Sequence, residues 1–297
     1  MAHPVEMGYG GYALTVAFKA AFLSVPKGYH LYSMLGNYLG PSSTDRPLLA
    51  SVSMVRQTRT FATRRLEISQ KLNNGTKRVC MVATADFHIK EPASLLEYSR
   101  PPSKSYSHWK HCPTDQETFE RLVDEGNIDR KIYDAYVKDF TIMADNFEMR
   151  PCPEGVFAQN ILGMAKHIPH TQDTLPMTSR TTADWFRSRE QLATPMDQLA
   201  NLIFYSDAAL AFTPLSYSHS WFEDVTAVSS LEFALRFFKS ADLLDMNRWH
   251  LREMSTSVGG EARTYGETWI WDDEGRAVAC MSQQSILRPR KGEKERL

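Results

Sequence analysis

From Gln198 to Phe222 the chain runs for 25 residues with a single Asp, Glu, Lys or Arg, and that residue is Asp207. At helical spacing Leu199, Leu202, Ile203, Ser206 and Leu210 share a face, and Asp207 stands at its edge, one turn beyond Ile203. Burying a carboxylate without donors is costly, so such an acid either reaches water as a solvated helix-edge residue or has specific partners. Three uncharged donors lie in later strand-like runs: Ser230, Gln283 and Gln284. A carboxylate held by an amide and a hydroxyl can orient a water molecule and take its proton, whereas a surface acid needs neither.

Other residues suggest weaker chemistry. His219 sits in the polar aromatic loop Ser216-Tyr217-Ser218-His219-Ser220-Trp221, where it could serve as a general base or simply make local bonds. His167 and His170 flank Pro169 and have the spacing of a metal pair, but no third ligand follows at useful spacing, so no metal site is expected. Gly10-Gly11 lacks the further glycines and the Lys-Ser or Lys-Thr pair of a phosphate loop. Its expected use is close backbone approach at a helix start, which leaves N–H groups able to steady a developing oxyanion. The four cysteines lack metal-ligand spacing, and Cys80 and Cys280 read as reduced and buried.

The elements that must position Asp207 are legible around it. Thr194, Pro195 and Asp197 have the spacing of an N-cap, a first-turn proline and a capping-box acid, which predicts a helix running from there to about Ala211. An earlier helix is expected over Tyr12 to Val25, apolar nearly all round and stopped by Pro26. Strand-like runs follow the first helix at 29–39, 48–56, 60–70 and 77–88, and the second near 224–238, 248–256, 261–271 and 276–288. Asn73-Asn74-Gly75 and Asp272-Asp273-Glu274-Gly275 mark matching hairpin turns.

The match extends to an internal repeat. Residues 75–84 and 275–284 share Gly, Cys and Met in register, but Gln283 and Gln284 stand where the first copy has Ala83 and Thr84. Alternation alone does not say which glutamine faces inward. Helix followed by antiparallel sheet, twice, divides the chain into residues 1–90, a connector over 91–145 with an acidic helix-capable stretch from Asp115 to Lys138, and residues 146–297.

Composition is that of an ordinary globular protein, with a formal net charge of -1. The strongest basic run, Arg288 to Arg296, follows the last strand, which argues against nucleic acid. No secretory leader and no run of about 18 apolar residues is evident, so a soluble cytoplasmic protein is expected. The terminal Glu295-Arg296-Leu297 ends like a weak peroxisomal address, with Glu in place of the small residue.

The order of several short segments resembles the acyl-CoA thioesterase II family. In the first half these are Tyr9-Gly10-Gly11, Phe18 to Ala21 with Val25, Ser33, Tyr38-Leu39-Gly40-Pro41, and Val55-Arg56 through Phe61-Ala62-Thr63-Arg64. In the second they are Phe147-Glu148-Met149-Arg150, Trp185-Phe186-Arg187, Tyr205-Ser206-Asp207, Ser230-Leu231-Glu232 and Gln283. The resemblance implies an α+β double hotdog, two tandem helix-wrapped antiparallel sheets forming one continuous sheet. It implies hydrolysis of an acyl-CoA or carrier-bound acyl thioester by water in lipid metabolism, of fatty acids or polyketides. No metal, cofactor or covalent intermediate is implied, coenzyme A entering only as part of the substrate.

Residue by residue, the resemblance makes Asp207 the helix aspartate, Ser230 the hydroxyl and Gln283 the strand glutamine that together bind and activate the water. Gly10 and Gly11 are assigned to the substrate or its oxyanion. One departure falls close by: where the family reads Ser-Leu-Asp-His, this chain has Ser230-Leu231-Glu232-Phe233. Two other readings stand beside hydrolysis, a hotdog hydratase or dehydratase acting on a tethered acyl chain and a non-catalytic acyl-ligand binding protein. A homo-oligomer is compatible with each.

Overall fold

The computed structural model describes residues 8–139 and 141–290. The terminal Glu295-Arg296-Leu297, and most of the basic run before it, lie outside them. The first half opens with helix α1 (Gly10–Leu23), followed by strands β1 (Tyr29–Tyr38), β2 (Leu49–Gln57), β3 (Phe61–Lys71) and β4 (Lys77–Ile89). The connector carries α2 (Asp115–Asp124), α3 (Arg130–Asp139) and α4 (Thr141–Asn146). The second half has β5 (Phe147–Pro151), α5 (Val156–Asn160), β6 (Thr181–Ser188), α6 (Pro195–Ser206), α7 (Thr213–Tyr217), β7 (Val225–Phe237), β8 (His250–Gly260), β9 (Arg263–Asp272) and β10 (Ala277–Pro289). None of the described helices is long and apolar enough to cross a membrane.

The repeat is visible in backbone hydrogen bonds. In the β3–β4 turn the Leu72 N–H donates to Thr76 O and the Gly75 N–H to Leu72 O. In the β9–β10 turn the Asp272 N–H donates to Arg276 O and the Gly275 N–H to Asp272 O. Gly75 and Gly275 have φ of +82° and +78°, a left-handed conformation that glycine adopts without steric cost.

All ten strands form one sheet in the order β2-β3-β4-β1-β7-β10-β9-β8-β6-β5. The halves join where β1 pairs antiparallel with β7. A single row of paired residues crosses the join from Ala83 through Gly36 and Phe233 to Gln283. The two repeat-related positions, Ala83 and Gln283, thus sit symmetrically about the seam. Gly36 is required there, because a Cβ on it would lie 2.8 Å from the Phe233 ring.

Helices α1 and α6 pack against each other on one face of this sheet, with Leu14, Phe18, Met34, Leu202, Ile203 and Leu235 in one continuous core. The connector crosses the opposite face of the second half: the Trp271 indole donates to Arg100 O at 2.6 Å, Ser103 and Tyr106 bond the Glu253 carboxylate, and Trp109 stacks on Trp249. This is the α+β double hotdog that the resemblance implies.

Two features differ from the sequence-based expectation. Strands β5 and β6 precede α6 and extend the sheet beyond β8. Strand β6 is buried on both faces, so it lacks the polar–apolar alternation by which half-buried strands are read. Helix α6 stops at Ser206 rather than near Ala211, because the buried Arg252 guanidinium draws the Ala208 carbonyl at 2.8 Å and the Tyr205 carbonyl at 3.4 Å. Asp207 becomes the C-cap, and the chain then turns through Ala209 at φ +66°.

Candidate active site

Placing Asp207 at the end of α6 turns its carboxylate across the seam toward the N-terminus of α1. That helix start has no side-chain cap of its own, since the N-cap residue is Tyr9 and its side chain makes no capping bond. The Gly11 N–H bonds the Asp207 carboxylate instead. A carboxylate at a helix N-terminus meets both an unsatisfied donor and the positive end of the macrodipole.

The glycine pair allows this approach. A Cβ at Gly10 would lie 2.5 Å from Asp207 Oδ2, and one at Gly11 would lie 2.5 Å from the Phe204 carbonyl oxygen. Close backbone approach was the expected use of the pair. The expected free donor is corrected at Gly11, whose N–H is engaged by the carboxylate. Gly11→Ala is expected to cost about 1–3 kcal/mol by overpacking, read as a lowered midpoint in chemical denaturation. An unchanged midpoint would show that the α1–α6 contact tolerates the methyl group.

The strand residues complete the cluster. Gln283 Nε2 donates to Asp207 Oδ1, and Ser230 Oγ donates to Gln283 Oε1 at 3.1 Å. The hydroxyl thereby fixes which end of the amide faces the acid. Gln283 is 1% exposed while Gln284 is half-buried on the other face of β10, which resolves the ambiguity that alternation left. Asp207 itself is 8% exposed. Burial pushes its carboxyl up to about 7, against the lowering effect of bonds from Gln283, Tyr38 and the Gly11 N–H.

Several residues of this neighbourhood were not singled out from sequence as functional. Tyr38, the last residue of β1, donates its hydroxyl to Asp207 Oδ1 at 3.3 Å. The Tyr9 hydroxyl donates to Phe204 O at 2.7 Å, and its ring packs edge-on against Phe204. Beneath them Arg252 pairs with Asp184, Nη2 to Oδ2 2.5 Å, and Tyr205 also donates to Asp184 at 3.0 Å. Little in the sequence signals the Asp184–Arg252 pair, since the same faces of β6 and β8 also carry Thr182, Ser188, His250 and Thr256. Phe233, which stands where the resemblance implies a histidine, is fully buried and packs against Tyr38 with ring centroids 5.5 Å apart.

His219 and His170 lie elsewhere. Both ring nitrogens of His219 are engaged, Nδ1 with Lys166 O at 2.9 Å and Nε2 with Asp173 Oδ1 at 2.6 Å, so it makes local loop bonds and none to Asp207. His170 has a further ligand-type neighbour that sequence spacing had not supplied, since His170, Asp173 and His219 gather within 4.8 Å. The Gln172 N–H donates to His170 Nδ1 at 3.2 Å, and His170 Nε2 lies 3.0 Å from Asp173 Oδ1.

Comparison with known proteins places the chain in a family. The acyl-CoA thioesterase N-terminal domain matches residues 2–88, and the acyl-CoA thioesterase C-terminal domain matches residues 144–287. The chain is 23% identical to acyl-CoA thioesterase 2 of Haemophilus influenzae, over 94% of this chain and 87% of that protein. Among solved structures it is similar to an acyl-CoA thioesterase II of Mycobacterium marinum, with TM-score 0.69 and 18% identity over 97% of this chain and 92% of that one. A tesB protein of Mycobacterium avium subs paratuberculosis gives TM-score 0.66 and 14% identity, covering 97% and 91%. At these identities the structural likeness speaks for the fold.

Proposed function

As this chain belongs to the acyl-CoA thioesterase family, and is a thioester hydrolase, we propose that it cleaves acyl-CoA with water activated by Asp207, Gln283 and Ser230. The observation that supports this most is the directed chain from the Ser230 hydroxyl through the Gln283 amide to a buried carboxylate at a helix N-terminus.

Asp207 is the general base. With its carboxyl titrating near 7, it is substantially ionised at neutral pH yet basic enough to accept a proton from water in the transition state. The hydroxide equivalent attacks the thioester carbonyl, and the carbonyl π electrons move to oxygen. We assign the first-turn Gly10 N–H of α1 to that oxyanion, a donor worth about 3 kcal/mol where it is well aimed. Collapse of the tetrahedral intermediate breaks the C–S bond. The proton held by Asp207 passes to the thiolate, which restores the base and yields a free acid and a free thiol. A thiolate leaves readily, so the site needs no strong general acid.

The hydrogen-bond partners of Asp207 favour hydrolysis over hydration or dehydration. They are an amide, a phenol and a backbone N–H, with no imidazole to share proton transfer at a carbon. A carrier-protein thioester would meet the same chemistry as acyl-CoA.

The test is release of free thiol from a panel of short, long, branched and aromatic acyl-CoAs, followed with a thiol-reactive chromogen. Stoichiometric thiol and acid are expected, with kcat/KM rising with pH through about 7 as Asp207 ionises. Binding of these thioesters without thiol release from any of them would instead make the chain an acyl-ligand binding protein.

A further inference from the structure

The three donors to Asp207 come from three elements and differ in one chemical respect. The Gln283 amide nitrogen on β10 and the Gly11 N–H on α1 can only donate, and Ser230 locks the amide in that orientation. The Tyr38 hydroxyl can donate or accept. The base proposed above alternates between carboxylate and carboxylic acid in each turnover. The two N–H groups can donate to a carboxyl oxygen in either state but cannot accept its proton. Tyr38 can do both: it donates to the carboxylate, and after proton uptake its oxygen can accept from the carboxyl O–H by rotation about one C–O bond.

The structure holds Tyr38 for this task. Its ring is fixed against Phe233, with centroids 5.5 Å apart. Its oxygen lies 3.0 Å from the position a Cβ would take on Gly10, the same point that lies 2.5 Å from Asp207 Oδ2. The phenol, the carboxylate and the α1 helix start thus crowd one spot. Burial and the neighbouring Asp207 charge raise the Tyr38 phenol well above its ordinary range, so it keeps its proton at any working pH.

The remaining ionisable groups near Asp207 do not duplicate this contact. Tyr9, ahead of α1, spends its hydroxyl on Phe204 O. Tyr205 on α6 donates to Asp184, and Arg252 on β8 binds Asp184 and the carbonyls of residues 205 and 208. Strands β7 and β10 present Ser230, Phe233 and Gln283, none of which titrates.

We infer that Tyr38 is a positioning residue for the hydrolysis: from the first half of the chain it holds the Asp207 carboxylate against the α1 N-terminus and remains bonded to it in both protonation states. This rests on Asp207 being the base.

Tyr38→Phe keeps the ring and its contact with Phe233 and removes only the oxygen. Tyr38 bonds both states, but its bond to the charged carboxylate is the stronger, so its loss is expected to move the Asp207 titration up by about one unit. At pH 7 kcat/KM should fall about five-fold, and by pH 9 it should return to within about two-fold of the unmodified protein. The titration is read directly from the Asp207 carboxyl 13C resonance, identified by its disappearance in Asp207→Asn. An unshifted resonance, or an equal loss of kcat/KM at pH 7 and pH 9, would overturn the assignment. The resonance reads the Tyr38 contact whether or not thiol is released, so failure of the hydrolase reading and failure of this one are separable.

Discussion

Asp207→Asn is expected to lower kcat/KM for acyl-CoA at least about a hundredfold and, at alkaline pH, to make the protein more stable. The loss follows from removing the only group in the cluster able to take the proton of water. The gain follows from what burial does to the acid. The folded carboxyl titrates near 7, whereas an unfolded aspartate titrates near 3.9. A raised carboxyl stabilises the fold most below the unfolded value, and that contribution is lost as pH climbs from about 4 through about 7.

Above pH 7 the native protein therefore carries an ionised, nearly buried carboxylate, at a cost of roughly 2–4 kcal/mol by linkage. Asparagine is close in shape and cannot ionise. Its advantage in denaturant midpoint should be largest at pH 8 and vanish near pH 4. Undiminished turnover would remove Asp207 from the chemistry, and equal stabilisation at both pH values would show that its ionisation is not the source of the cost.

The second large effect is expected from the ion pair beneath the site. Arg252→Met leaves Asp184 buried without its counter-charge and should destabilise the fold by about 3–5 kcal/mol. It also frees the carbonyls of residues 205 and 208, between which Asp207 is fixed, so turnover should fall in whatever protein remains folded. The double substitution Asp184→Leu/Arg252→Met removes both charges and should recover much of the stability, since apolar replacement of a whole buried pair is often close to neutral. Turnover should stay low in the double variant, because the α6 terminus still lacks its anchor. Recovery of turnover along with stability would show that the pair serves stability alone.

Much of the plan was legible because it depends on neighbours in sequence. The N-cap at Thr194, whose hydroxyl accepts from the Asp197 N–H at 3.1 Å, is a contact three residues long. The two hairpin turns require a left-handed glycine at one position, and that glycine is visible as a letter. Strands whose two faces differ announce themselves by alternation, and β1, β3, β4, β7, β9 and β10 fall within two residues of their expected bounds. Strand β6 was missed because both its faces are covered, and the end of α6 because the group that stops it lies 44 residues from Ala208.

By itself the sequence determined the repeat, the two helix-and-sheet halves, and the anomaly of one acid in a long uncharged run. These follow from local chain stereochemistry and from the cost of burying charge, which act on residue type and short spacing. Only the tertiary structure decided whether that acid is solvated or held, which glutamine faces it, and that the first half lends it Tyr38 and the Gly11 N–H. Its partners stand 76 residues away at Gln283 and 169 at Tyr38. The shift of its titration toward neutral pH comes from exclusion of water by all of these elements at once, a property of the packed seam.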